Sequence, residues 1–439
     1  MIIRLLVILI TNLLMYSRSI NYDYQIDDLD VSRRVTPTKG KWQLLWQHFM
    51  GIKYTNAKLA RCCNIAVHSA VCMLIYFAFG RNNISFLTAV LFSLNPVNNQ
   101  VSVWLSGRSY GTAAMFLLLG MSYLPLLPIV YSLGIMITAS VLFAPLLFLV
   151  KSPHWAVLLL LIGIYIGKRV HKPALMNRIA WGTKTMIRFN WGKLIIFFKT
   201  LGYYLALCIL PIRLGMFHTY LHTFGLSEEE SKPWYKLDHY FFLGVALVGY
   251  LLYKLVLGFS AFDFGLFWFV LFTVQWCNLI VLNHPISERY IYLSNIGLMY
   301  SLSQLIIFTP LMWIFLTFYA VRLFYFLPCY KNRITFWKSN NDNFPSVAMA
   351  YNQLGIEQAQ FGNTGSALDS FICGVQKRPD DFRLNYNVAN ILIGAGQLHL
   401  SVKFLKKAEQ VVNKNIDFEY WNGEIGKMRE ILKGAKLWQ

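Results

Sequence analysis

The strongest limit on this chain's fold is the recurrence of apolar runs about as long as a bilayer is thick. "FFLGVALVGYLLYKLVLG" (241–258), "FGLFWFVLFTVQWCNLIVLN" (264–283) and "LMWIFLTFYAVRLFYFL" (311–327) are three of them. Each falls in the range of roughly 17–25 residues that crosses a hydrocarbon core of about 30 Å. Composition agrees. The chain is 56% hydrophobic and 14% charged, against about 25% charged in a soluble domain. A β-barrel would need short alternating segments, which are absent. The expectation is an all-α fold, a polytopic membrane helix bundle.

A hydropathy pass gives about eleven spans, near 2–18, 58–79, 83–103, 110–122, 125–146, 153–167, 196–212, 240–258, 263–283, 290–307 and 310–328. The net charge of +20 would suit nucleic acid, but the basic residues sit in loops between apolar spans, so no nucleic-acid partner is expected. Loop 168–199 carries Lys168, Arg169, Lys172, Arg178, Lys184, Arg188, Lys193 and Lys199 with no Asp or Glu. Such a loop belongs on the cytoplasmic side. Its interleaved apolar residues suggest a helix in the headgroup plane, a solvated basic loop being the alternative. Counting spans back puts the N-terminus inside. The outer side then holds loop 19–57 with Asp23, Asp27, Asp28 and Asp30, loop 213–239 with "GLSEEESKPW", and "NHPISERY" (283–290). The first apolar segment has no small-x-small cleavage site and reads as a retained span. The seven cysteines form no CxxC pattern and read as small buried hydrophobes.

After about residue 340 the chain becomes polar and repeats at 34 residues. Leu354 aligns with Val388, Gly355 with Ala389, Ala367 with Ser401, and Gly374 with Ala408. Small residues fall where paired helices approach closely. The segment "YNQLGIEQAQFGNTGSALDSFICGVQKRP" resembles the tetratricopeptide repeat. The expected domains are a membrane part over 1–335 and a tail over 340–439. The tail would hold repeats near 348–381 and 382–415 and a terminal helix near 417–435.

Three stretches could carry chemistry. The first is the acidic cluster 23–30. Carboxylates at a bundle mouth can take a proton from a hydroxyl or hold a divalent metal; they can equally orient the first helix. The second is "NPVNNQVSVWLSGR" (95–108), where Asn95, Asn98, Asn99 and Gln100 interrupt an apolar span and Arg108 ends it. Polar groups at such depth usually face a cavity or the bundle interior. The third is "SERYIYLSNIG" (287–297). There Arg289 could clamp a phosphate beside Glu288, with Tyr290 and Tyr292 at the interfacial level, or the stretch could be an aromatic belt with a snorkelling Arg.

Together these motifs resemble the transmembrane and tetratricopeptide-repeat-containing O-mannosyltransferase family, of the GT-C class of polyprenol-dependent glycosyltransferases. The matching parts, in order, are "IDD" after helix one, "NPVNNQVSVWLSGR", "LGYYLALCILP" (201–211), "SERYIYLSNIG", and the repeat tail. The resemblance implies a polyprenyl-phosphate sugar donor and a hydroxyl acceptor on protein or glycan. It implies a catalytic carboxylate at Asp27 or Asp28, and a donor phosphate facing Arg289 and Arg108. Asp27 and Asp28 are also the candidate ligands for a divalent metal, Mg or Mn. Where the family often has two His and one Glu, this chain has Asn95, Asn98 and Gln100. That departure keeps open a non-catalytic scaffold that binds partners through its repeats. A transporter or flippase for lipid-linked sugars is disfavoured, because the sequence shows no inverted repeats. The implied location is the bacterial inner membrane or the endoplasmic reticulum, with the tail non-cytoplasmic.

Overall fold

The computed structural model describes residues 1–23, 57–148, 153–181, 191–218, 220, 236–279, 286–412 and 418–438. Among these residues there are eighteen α-helices and no strand. The chain divides into two compact units, one of residues 1–221 and 232–332, the other including 333–439.

The first unit contains α1 (Ile2–Tyr16), α2 (Ala57–Ala78), α3 (Asn83–Leu94), α4 (Asn99–Ser102), α5 (Arg108–Ser122) and α6 (Leu127–Ile137). It continues with α7 (Pro153–Trp181), α8 (Trp191–Ile209), α9 (His239–Leu257), α10 (Ala261–Thr273), α11 (Tyr292–Ile306) and α12 (Pro310–Phe326). Among the described residues five segments are long and apolar enough to cross a membrane: Ile2–Asn21, Ala57–Ala78, Trp191–Ile209, His239–Leu257 and Pro310–Lys331. Four shorter apolar helices accompany them. The exposure pattern fits a bundle in lipid. Helix α11 is buried nearly all round, whereas α9 leaves Leu252, Tyr253, Leu255 and Val256 exposed. Exposed leucine and valine on a water-facing helix would be costly; against acyl chains they are not. Helices α10 and α11 meet at glycines. A Cβ on Gly265 would lie 2.5 Å from the Gly297 carbonyl oxygen, so only glycine allows that approach.

Several expected spans are not single helices. In the 83–103 stretch α3 ends at Leu94, and only the short α4 follows, at Asn99–Ser102. The Asn95 side chain accepts from the Val97 amide, and Pro96 opens a separate 3-10 turn, so the polar island uncoils the chain. The 125–146 stretch stops at Ile137, where Thr138 turns extended. The 263–283 stretch leaves the α-helix after Thr273, and Asn278 has a positive φ of 60°. In the basic loop, residues 168–181 continue α7 rather than forming a separate helix in the headgroup plane. The 29 residues of α7 make about 43 Å at 1.5 Å per residue, longer than a hydrocarbon core.

The second unit is α13 (Arg333–Asn343), α14 (Ala348–Gln360), α15 (Thr364–Lys377), α16 (Phe382–Gly394), α17 (Leu398–Val412) and α18 (Phe418–Gly434). The α14–α15 and α16–α17 hairpins repeat at the 34-residue period. Both turn at a glycine of positive φ, Gly362 at 81° and Gly396 at 74°, which a residue with a Cβ would adopt only under strain. Gly355 lets Phe371 in: a Cβ there would meet the ring at 2.6 Å. Gly374 does the same for Leu384. Ala389, Leu405, Ala408 and Ile425 carry the core from the second pair to α18.

Candidate functional site

The irregular segment 95–108 and the 3-10 turn Glu288–Ile291 are joined through Gln100. Its Nε2 donates to the Gly215 carbonyl at 3.0 Å, and its Oε1 accepts from Ser287 Oγ at 3.0 Å and the Arg289 amide at 3.3 Å. Asn95 Nδ2 donates to the Cys208 carbonyl at 2.8 Å. Asn98 donates to the Phe92 carbonyl at 2.7 Å and accepts from Asn295 at 3.3 Å. All three side chains are buried. Their oxygens, the atoms a metal would need, already accept from N–H or O–H donors. A metal here would have to share or displace those hydrogen bonds, and no group of three His, Cys, Asp or Glu suited to one occurs among the described residues.

Arg289 stands beside an aromatic wall. Its guanidinium lies 5.0 Å from the Trp104 ring centre and 5.1 Å from the Tyr290 ring. Tyr290 stacks on Trp276 at 4.4 Å with 7° between the planes, and Tyr110 closes on both rings. Several polar atoms here are buried with no hydrogen-bond partner: Arg289 Nη1, Trp104 Nε1, Trp276 Nε1 and both side-chain heteroatoms of Asn99. Four of these five atoms, all but the Asn99 oxygen, are obligate donors. Buried donors without acceptors are rare in finished interiors and cost about 1–3 kcal/mol each.

On the other side of the turn lies a carboxyl. Glu288 Oε1 accepts from the Gly215 amide at 2.6 Å and approaches His218 Nε2 at 3.2 Å, while Oε2 has no partner. Burial pushes its pKa up, and the bonds from His218 and Gly215 offset only part of that rise. His218 Nδ1 meets the Tyr203 hydroxyl at 2.9 Å. Sequence reading missed His218 and Tyr203, which lie 70 or more residues from Glu288 and carry no motif.

Two residues take other places than expected. Tyr292 is fully buried, its hydroxyl 2.7 Å from His68 Nδ1 in the bundle interior, not at an interfacial level. Arg108 braces α2, with Nε to Asn64 Oδ1 at 2.5 Å and Nη2 to the Ala60 carbonyl at 2.7 Å. These bonds tie it into the helix wall. A third difference concerns topology. Lys199, expected in the cytoplasmic loop, pairs at 3.2 Å with Asp238, expected in the outer loop. Groups that close cannot lie on opposite faces of a bilayer, so the basic loop ends before α8. Burial works against ionised Asp238, but bonds from Tyr220, the Phe241 amide and Lys199 outweigh it and hold the carboxyl below the usual range.

Asp27 and Asp28 lie outside the described residues. The chain leading to them is tied down. Buried Arg61 donates to the carbonyls of Tyr22, Asp23 and Val103, and the Asp23 amide donates to the Lys331 carbonyl at 3.0 Å. Arg61 thus bridges Asp23, at the start of the acidic stretch, to the carbonyl of Val103, the residue before Trp104. No signal in the sequence singled out Arg61. Comparison with protein-family models, with curated proteins and with solved structures gives no match.

Proposed function

We propose that this protein is a membrane glycosyltransferase that moves a sugar from a polyprenyl-phosphate donor to a hydroxyl on protein or glycan, on the non-cytoplasmic side. The observation that carries this reading is the set of unpaired buried donors on Arg289, Trp104 and Trp276. An anion supplies the acceptor atoms these groups lack, and a guanidinium is the side chain best shaped for phosphate. A phosphate carried by a lipid would reach such a site from the bilayer. Arg61 supports the reading by bringing the start of the acidic stretch to the same wall.

In the reaction, the acceptor oxygen attacks the anomeric carbon with inversion as the phosphate leaves. Asp27 or Asp28 takes the hydroxyl proton. The repeat unit binds the acceptor or a protein partner; its helix hairpins offer the kind of surface that solenoids use. A scaffold without catalysis is the second reading. The hydrogen bonds of Asn95, Asn98 and Gln100 favour it, because neutral amides already engaged in the fold are weaker metal ligands and carry no titrating group. The deciding experiment reconstitutes the protein in nanodiscs with polyprenyl-phosphate mannose and hydroxyl-bearing peptides or glycans. Transfer that falls at least about 10²-fold in Asp28→Asn, the scale for loss of a general base, supports the enzyme. A wild-type protein that binds the lipid but transfers nothing supports the scaffold.

A further inference from the structure

The helix hairpins of the second unit turn at an edge unlike the rest of its surface. Phe361, in the first turn, is 62% exposed, and Leu400, just past the second, is 60% exposed. Residues 358–368 and 384–402, which hold both turns, contain no Asp, Glu, Lys or Arg. The connection between the hairpins is the reverse, with Lys377, Arg378, Asp380, Asp381 and Arg383 crowded into 377–383. Helix α15 separates the two by 14 residues, about 21 Å. Single exposed apolar side chains are ordinary on a surface in water. An edge without charge at both turns, opposite an edge where charge is gathered, points to an apolar partner.

Register shows which partner is within reach. Arg333, the first residue of α13, pairs with Glu357 at 2.9 Å, and Glu357 stands one helical turn before Phe361. The start of α13 and the Phe361 turn therefore lie at the same end of the unit. Asn387 Nδ2 donates to Asn352 Oδ1 at 2.8 Å, a step of nearly one repeat. Helices α14 and α16 thus lie side by side in one direction, and the turn at Gly396 belongs to that end too. Arg333 follows two residues after Pro310–Lys331, a segment long and apolar enough to cross a membrane. Two residues reach at most about 7 Å. The uncharged edge is the one tethered to the end of a membrane span.

We infer that this edge rests on the lipid bilayer, with Phe361 and Leu400 entering the boundary between headgroups and acyl chains. The turns suit that place. The Asn363 amide donates to the Gln358 carbonyl at 2.9 Å and the Gln397 amide to the Leu392 carbonyl at 2.8 Å, so these groups need no water there. Exposed Lys331, within the tether, suits headgroup phosphates. The charged edge stays in water. The inference is independent of the transfer reading, since an enzyme and a scaffold would be held alike. Either would keep its repeat surface at one height above the bilayer.

Photo-crosslinking of the full-length protein in phosphatidylcholine nanodiscs tests this. The photoreactive residue p-benzoylphenylalanine replaces Phe361, Leu400 or Asp380, one at a time. All three side chains are exposed, so the fold is not disturbed. After irradiation, mass spectrometry should find phosphatidylcholine adducts at positions 361 and 400 and not at 380. Phe361→Asp should then lower the adduct at position 400 at least about tenfold, the scale for withdrawing one large apolar side chain from an apolar surface. Adducts at 361 and 400 to peptides of this chain, or of a second copy, would mean that protein covers the edge, and would overturn the inference. So would lipid adducts in equal yield at all three positions, no lipid adduct at all, or a yield at 400 that Phe361→Asp leaves unchanged.

Discussion

Two groups of buried polar residues sit a few residues apart in the same irregular segment and behave in opposite ways. Asn95, Asn98 and Gln100 each reach backbone or side-chain partners on distant parts of the chain. Asn99 and Trp104, from that same segment, keep heteroatoms with no partner, and so do Trp276 and Arg289 across from it. A closed amide fixes architecture, because its hydrogen-bonding capacity is used at folding. An open donor in a buried place is stable only if something outside the protein completes it. Polarity inside an apolar bundle is therefore not enough to mark a site. The mark is polarity left incomplete.

Substitutions can break this comparison, and the largest effect should come from the closed group. Gln100→Glu removes the donor to the Gly215 carbonyl and puts a carboxylate in its place. The loss should be about 3 kcal/mol, the scale for a buried charge or acceptor left unpaired, visible as a lower unfolding temperature in detergent. A gain in activity on adding this acid would mean the amide is a ligand position after all. Arg289→Ala comes next. Removing a charge-assisted contact of about 1.5–3 kcal/mol should weaken binding of polyprenyl phosphate roughly 10–100-fold, while the lost ring contacts with Trp104 and Tyr290 should lower the unfolding temperature less than Gln100→Glu does. Isothermal titration separates the two outcomes.

How much of this was legible beforehand depends on distance along the chain. The repeat unit was readable because Gly355 and Phe371, or Gly374 and Leu384, lie on successive helices of one 34-residue pattern. Arg289 and the 95–108 island stood out because polar residues are conspicuous in apolar sequence. Their partners were not readable. Trp276 sits in what looked like an ordinary span, Arg61 opens another, and Gly215 and His218 come from a loop with no motif. Tertiary contacts alone bring these residues together. The spans at 83–103, 125–146 and 263–283 misled because hydropathy averages over a break. Asn95–Pro96, Thr138 and Asn278 uncoil the helix without making the stretch less apolar. Lys199 misled because it belongs to the charge count of one loop and the ion pair of another.

The smallest effect sharpens the comparison within the open group. Trp276→Phe keeps the ring that stacks on Tyr290 and deletes only the indole donor. A neutral hydrogen bond of about 0.5–1.5 kcal/mol makes this roughly a 2–10-fold loss in affinity for polyprenyl phosphate. Trp104→Phe should give a similar loss. No change in either would mean the indole N–H groups do not face the bound anion.

The central claim is that the wall of Arg289, Trp104 and Trp276 is an anion site completed by a lipid phosphate. Its most direct measurement is equilibrium binding of polyprenyl phosphate against the uncharged polyprenol of the same chain length, to the purified protein in nanodiscs. The phosphate should bind at least about tenfold more tightly, and Arg289→Ala should erase that difference. Equal affinity for the two lipids, or a preference for phosphate that survives Arg289→Ala, would contradict the account.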